Sequence, residues 1–280
     1  MQASPSPFIV GVARSGTTLL RLMLDCHPLI AILPETHFIP LVLHENPRQR
    51  DYFQHLLTSH FTWPDFGLRT DAFEQALSKL EPFTLAEGIR TFYRLYAHHH
   101  GKTRWGDKTP PYVEHIAAIA QLLPEAHFIH LIRDGRAVAA SRQSLNFGPG
   151  PDIVAQARDC AAKIRSARSQ AQSCFHYLEI RYENLISNPE TVLKAICNDL
   201  ELDYHPALLN YPVIAQSRLN EFQDWRLPSG EILSEGAYRR AIHQRTLMPL
   251  DADRIDHWRT TLTPEEIAAF EEEEIGRAHV

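Results

Sequence analysis

Residues Phe8–Leu20, FIVGVARSGTTLL, decide the fold. Phe8–Val12 is a short apolar, β-branched run and reads as a buried strand. It breaks at Gly11-Val-Ala-Arg-Ser-Gly16 and opens into Thr17–Cys26, where Leu19, Leu20, Leu22, Met23 and Leu24 suit a well-buried helix. The chain therefore begins strand, glycine turn, helix.

The same alternation continues outward. Ile30–Leu33 is a second strand candidate, followed by Pro34-Glu-Thr-His37 in a loop. Residues 47–103 read as mostly helical, with Thr84 and Glu87 spaced as a capping box. Tyr112–Leu123 reads as a helix, His127–Ile132 as a strand and Arg136–Leu145 as a helix. Ile153–Gln172 is a long amphipathic helix, Phe175–Arg181 a strand and Pro189–Leu200 a helix. Strands separated by helical stretches predict an α/β fold, a parallel β-sheet flanked by α-helices. One domain is expected over residues 1–273, with a helical insertion at about 45–103. The last seven residues, 274–280 (EIGRAHV), resemble a translated sequencing adapter and are expected to be a non-native tail.

The 280 residues carry a net charge of −6 and are 44% hydrophobic, a globular composition that excludes a general nucleic-acid binder. No apolar run reaches the ~18 residues of a membrane span, and Met1–Pro7 lacks the features of a secretory leader. Four dispersed cysteines without a CxxC pair fit a reduced, cytoplasmic setting and suggest no metal site. Six Glu and one Arg fall in 263–280, so most of the acidity belongs to the terminal helix. The body is nearly neutral and compatible with a local anion site. Of the chain's basic residues, 23 are Arg and 5 are Lys, and arginine is the better fork for anions.

Gly11 and Gly16, five apart between a strand and a helix, form the frame of a P-loop, in which backbone N–H groups and a helix N-terminus hold anionic oxygens. The nucleotide-triphosphate version requires Lys after the second glycine; here Thr17 stands there, so a kinase or NTPase would lack its main cation. Arg14 offers a guanidinium fork instead, and Thr17 and Thr18 add hydroxyls. The pattern Arg14-Ser-Gly-Thr-Thr-Leu-Leu20 resembles the 5′-phosphosulfate loop of sulfotransferases that use 3′-phosphoadenosine 5′-phosphosulfate (PAPS). A second motif, Arg133-Asp-Gly-Arg-Ala-Val-Ala-Ala-Ser141 after a strand, resembles their 3′-phosphate clamp. His27-Pro28, Glu35-Thr36, Gly106–Pro110, Arg181–Asn184 with Pro189-Glu190, and Trp258-Arg259 before Leu262–Glu266 also recur in the bacterial group that is similar to the tyrosylprotein sulfotransferases. The resemblance spans roughly residues 8–270 and is weakest at 45–100 and 205–250.

The resemblance implies sulfuryl transfer from PAPS, leaving adenosine 3′,5′-bisphosphate (PAP), to a hydroxyl or amine of a small molecule, carbohydrate, lipid or peptide tyrosine. It assigns nucleotide binding to Arg14, Ser15, Gly16, Thr17, Thr18, Arg133, Ser141 and Tyr182. Lys108 is the expected cation for the leaving or transferring oxygens, with Asp107 orienting it. Glu35 is the expected general base. The family's Glu-Thr-Arg is Glu-Thr-His here, so His37 stays open as a second candidate base. Arg142, beside the clamp, is expected to be solvated. Arg239, Arg240 and Arg245 form a basic stretch from which one is expected to close over the nucleotide. A non-catalytic nucleotide-binding protein would keep Arg14, Arg133 and Ser141 and could dispense with Glu35, His37 and Lys108.

Overall fold

The computed structural model describes residues 4–145 and 148–278, the last five without their side chains. In chain order, β1 (Ser6–Val10) leads through the glycine turn into α1 (Thr17–Asp25), then β2 (Ile30–Ile32). Helices α2 (Ile39–Glu45), α3 (Arg50–Thr58), α4 (Thr70–Ser78) and α5 (Leu85–His99) follow, before β3 (Arg104–Lys108) and α6 (Ile116–Leu122). The unit β4 (Ala126–Ile132), α7 (Gly135–Gln143), α8 (Ile153–Ala171) and β5 (Tyr177–Arg181) completes the main sheet. Beyond it come α9 (Tyr182–Ser187), α10 (Pro189–Asp199), α11 (Pro212–Leu219), the small hairpin β6 (Trp225–Arg226) and β7 (Ile232–Ser234), and α12 (Gly236–Ala241). α13 (Trp258–Thr261) and α14 (Pro264–Ala278) end the described chain. The proposed adapter tail at 274–280 falls on residues whose side chains lie outside the described part.

The five strands are all parallel, in the order β2-β3-β1-β4-β5. Side chains alternate between the faces: Phe8, Val10 and Phe128 join one core with the helices of the insertion, while Ile9, Ile129 and Leu131 join the other with α1 and α10. Burial on both faces explains why β1 and β4 carry apolar residues at successive positions, interrupted in β4 by the buried His127 and His130. No described helix is long and apolar enough to cross a membrane.

Three local readings change. β3, RWGDK, lies beside β1 in the sheet but carries no strand periodicity. The helix expected over Tyr112–Leu123 splits into a 3₁₀ turn, Pro110–Glu114, and α6; the Tyr112 hydroxyl is pinned by Thr36 at 2.7 Å and by the Ile39 N–H at 3.1 Å. The Thr84 cap forms, with its Oγ1 accepting from the Glu87 N–H at 3.2 Å, but the Glu87 carboxylate turns to Arg90 and Arg94 rather than back to Thr84.

Candidate active site

A cavity of about 800 Å³ opens where the strands end. Each strand of the main sheet delivers its functional group just past its carboxyl end, where open α/β sheets place ligands. β1 leads to Arg14–Thr18, β2 to Glu35, β3 ends on Lys108, β4 leads to Arg133 and β5 to Tyr182.

Gly16 sits at φ 100°, and a Cβ there would lie 2.6 Å from the Tyr182 ring. A Cβ at Gly11 would lie 2.6 Å from the Leu131 carbonyl. Both glycines are thus required by close approach as well as by the turn. No side chain caps α1, so the N–H groups at its start remain available to an anion. Arg14 (φ 78°) and His37 (φ 55°) are left-handed non-glycine residues, and both line the cavity. Strain held at two cavity positions fits a functional role.

Arg14 Nε donates to Ser141 Oγ at 3.2 Å and its Nη2 to the Ile242 carbonyl at 3.2 Å. Arg133 donates to the carbonyls of Arg14 (3.4 Å) and Arg254 (3.1 Å), lies 4.3 Å over the Tyr182 ring, and keeps its Nε buried without a partner. Burial, then the Arg133 charge, lowers the Arg14 guanidinium from its ordinary value. Arg254 is lowered by burial, then by Arg245 and Arg133. Crowded arginines that donate only to neutral groups are relieved by a bound anion. The residues present therefore fit a polyanionic nucleotide.

Glu35 lies between two cationic or hydrogen-bonding partners: Lys108 Nζ donates to its Oε1 at 2.7 Å and His37 Nε2 lies 2.8 Å from Oε2. Burial alone would raise the Glu35 carboxyl, but the Lys108 charge and the His37 and Lys108 hydrogen bonds hold it well below the usual carboxylate range. Glu35 is therefore ionised at neutral pH. Lys108 is fully buried, and burial lowers its ammonium against the pull of Glu35.

The structure brings Arg14, Gly16, Thr17, Thr18, Glu35, His37, Arg133, Ser141 and Tyr182 to the cavity wall. Ser15 and Lys108 do not line it. The Ser15 hydroxyl is buried beneath the loop without a partner, and Lys108 meets the cavity through Glu35. Asp107 does not orient Lys108, because neighbours on a strand point to opposite faces. Its Oδ2 instead accepts from Thr36 Oγ1 (2.7 Å) and Tyr93 OH (2.9 Å). It thus anchors the loop that carries Glu35 and His37. Arg142 is not solvated. It is 1% exposed and donates to the Ala13 carbonyl (3.2 Å), Gln156 (3.0 Å) and Asp159 (2.7 Å), bracing the phosphate loop from behind. In the basic stretch, Arg239 and Arg245 line the cavity. Arg240 does not, and binds the Phe222 carbonyl at 2.5 Å. Arg239 is neutralised by Asp65 at 2.6 and 3.0 Å.

Sequence reasoning gives no site role to Arg254, His243, Tyr238 or Trp225. All four line the cavity. They come from a segment of short turns in which no periodicity marks a functional face. Among the described residues, His127, His176 and Asp199 are grouped closely enough to hold a metal, at the start of β4 and far along the strands from the cavity. The two imidazoles stack at 3.7 Å and 11°, and His127 Nδ1 lies 2.9 Å from the Asp199 carboxylate.

Burial, opposed by hydrogen bonds from Thr36, Thr109 and Tyr93, pushes the Asp107 carboxyl up to about 6. Its unfolded value is 3.8. Between those two values the folded chain binds more protons, so this group's contribution to stability falls as pH rises. Asp107→Asn keeps a carbonyl acceptor and removes the titration. Its stability relative to wild type is expected to improve by about 1–3 kcal/mol between pH 4 and pH 7, measured by denaturant unfolding. A relative stability that stays flat with pH would refute the shift.

Comparison with known proteins gives concordant findings. A family model described as "Sulfotransferase family" matches residues 5–206. Protein-tyrosine sulfotransferase 1 of Danio rerio is 26% identical over 212 residues, 74% of this chain and 56% of that protein. Protein-tyrosine sulfotransferase A of Caenorhabditis elegans is 26% identical over 274 residues, 96% of this chain and 64% of that protein. The chain thus spans little more than half the length of these curated relatives. Among solved structures, the sulfotransferase domain of the Synechococcus PCC 7002 olefin synthase superposes with a TM-score of 0.58 at 24% identity, covering 96% of this chain and 95% of that one. Mouse sulfotransferase SULT7A1 complexed with PAP reaches 0.50 at 14% identity, covering 99% and 86%. These superpositions establish a shared fold.

Proposed function

As the chain belongs to the sulfotransferase family, we propose that it moves a sulfuryl group from PAPS to an acceptor hydroxyl or amine by in-line transfer. The observation that carries the proposal is the meeting of two strand-end motifs in one cavity. Arg14 of the lysine-free phosphate loop touches Ser141 of the second motif, and Arg133 donates to the Arg14 carbonyl.

PAPS supplies the activated sulfuryl group, and the chain's residues divide the remaining tasks. The start of α1, Thr17 and Thr18 offer donors to the 5′ end of the nucleotide, with Arg14 as its cation. Arg133 and Ser141 hold the 3′-phosphate, and the Tyr182 ring supports Arg133. Arg245 and Arg254 add charge from the cavity roof and are candidates to close over the nucleotide. Lys108 neutralises charge on the leaving or transferring oxygens, and turning toward them loosens its pairing with Glu35. Glu35 takes the acceptor proton, oriented by His37. The acceptor enters beside Glu35 and His37 along Trp225, Phe222 and Tyr238, an aromatic wall that suits a hydroxyl on an apolar or aromatic body, peptide tyrosine included. Cys26, Cys174 and Cys197 carry free thiols, which supports a reducing, cytoplasmic setting.

The test is thermal stabilisation by nucleotides. PAP is expected to raise the melting temperature more than adenosine 5′-monophosphate or ADP and ATP with Mg²⁺. Equal or reversed effects would sink the proposal. Arg133→Ala is expected to erase the 3′-phosphate preference, an affinity loss for PAP of about 10- to 100-fold. A retained preference would show that the clamp lies elsewhere.

A further inference from the structure

Glu35, Lys108 and Arg14 converge from three strand ends, and a fourth group faces them from above. His243 follows α12 in the cavity roof and lines the cavity. Its imidazole packs beside Phe222, with ring centres 5.6 Å apart. Among the described residues, no hydrogen bond reaches either of its ring nitrogens. The charges acting on it come from Lys108, Arg14, Glu35 and Arg239, which are the groups around the reacting centre. Burial first, then Lys108 and Arg14, hold the imidazole well below its ordinary value, so it is neutral at neutral pH.

A neutral imidazole has one N–H and one lone pair. With two cations beside it the lone pair is a poor base, and Glu35 already stands as an ionised carboxylate. The N–H is the part with work to do: it is a donor without a partner on the wall of a cavity that the phosphate loop also lines. We propose that His243 is a further catalytic residue, whose N–H hydrogen-bonds a non-bridging oxygen of the transferring sulfuryl group from the roof side. It keeps its proton throughout and forms no covalent bond, adding a fixed dipole where charge develops without adding another cation. This rests on the sulfotransferase reading above.

The experiment compares wild type, His243→Ala and His243→Gln, each titrated calorimetrically with PAP and with PAPS. PAP lacks the sulfuryl group, so it serves as the internal control. PAP affinity is expected to be equal in all three, whereas PAPS affinity falls about tenfold in H243A and is partly kept in H243Q, which retains a neutral N–H donor. A wild-type ratio of PAPS to PAP affinity in H243A overturns the proposal. Parallel loss of both affinities also overturns it, because His243 then only holds the roof in place. If wild type binds neither nucleotide, the sulfotransferase reading fails as well, whereas normal wild-type binding with unchanged variants sinks the His243 role alone.

Discussion

Glu35→Gln is expected to lower turnover by about a hundred- to ten-thousand-fold while PAP still stabilises the fold as in wild type. The carboxylate sits 2.7 Å from Lys108 Nζ and 2.8 Å from His37 Nε2. In the free protein this pairing makes it a weak base, since the Lys108 charge holds its proton affinity down. On the proposed mechanism its basicity rises when Lys108 engages an anionic donor, which couples proton removal to correct loading of that donor. The amide of the variant would keep the size and one hydrogen-bond acceptor but could take no proton. The phosphate loop and Arg133 belong to other strand ends, so nucleotide binding is expected to survive. His37→Gln is the companion variant. It removes the partner that orients Glu35 and should cost less than Glu35→Gln. The reverse order, with Glu35→Gln retaining substantial turnover, would move the base to His37.

The residues that make the fold legible are those whose surroundings repeat locally. β1 and β4 are buried on both faces, so their largely apolar runs announce them, and each is followed at once by a loop that lines the cavity. β3 is hidden for the opposite reason. Asp107 and Lys108 are both fully buried, yet a charged pair in sequence gives no strand signal. What satisfies them is distant in sequence: Glu35 for Lys108, and Thr36 and Tyr93 for Asp107. Arg142 misleads in the same way, since nothing in the sequence shows that Ala13, Gln156 and Asp159 surround it. Arg254 and His243 give no signal because turns rather than periodic elements carry them to the cavity. Which strand-end residues reach the cavity is therefore largely readable from the chain, while the buried polar partners and the roof require three-dimensional placement.

Asp65→Ala is expected to destabilise the protein by about 3–5 kcal/mol, because it strands a buried guanidinium. Asp65 is 1% exposed, in the 3₁₀ turn Trp63–Phe66 of the helical insertion. Its carboxylate accepts from Arg239 Nη1 (3.0 Å) and Nη2 (2.6 Å), from Trp225 Nε1 (3.0 Å) and from the Gln223 N–H (2.8 Å). The Arg239 guanidinium also lies 3.7 Å over the Trp225 ring. One carboxylate thus fastens the aromatic wall of the roof to the insertion. The same turn reaches the Glu35 loop, as Thr62 Oγ1 donates to the Thr36 carbonyl at 2.9 Å. The melting temperature should fall by roughly 10 °C, and the acceptor KM should rise while PAP stabilisation relative to the variant's own baseline persists, since Arg14 and Arg133 do not touch Asp65. Adding Arg239→Met to Asp65→Ala removes the stranded charge and should recover part of the loss, with a coupling of about 1–3 kcal/mol in the double-mutant cycle. A single-variant loss under about 1 kcal/mol, the range of an exposed ion pair, or no recovery in the double variant, would show that the roof is held by packing rather than by this carboxylate.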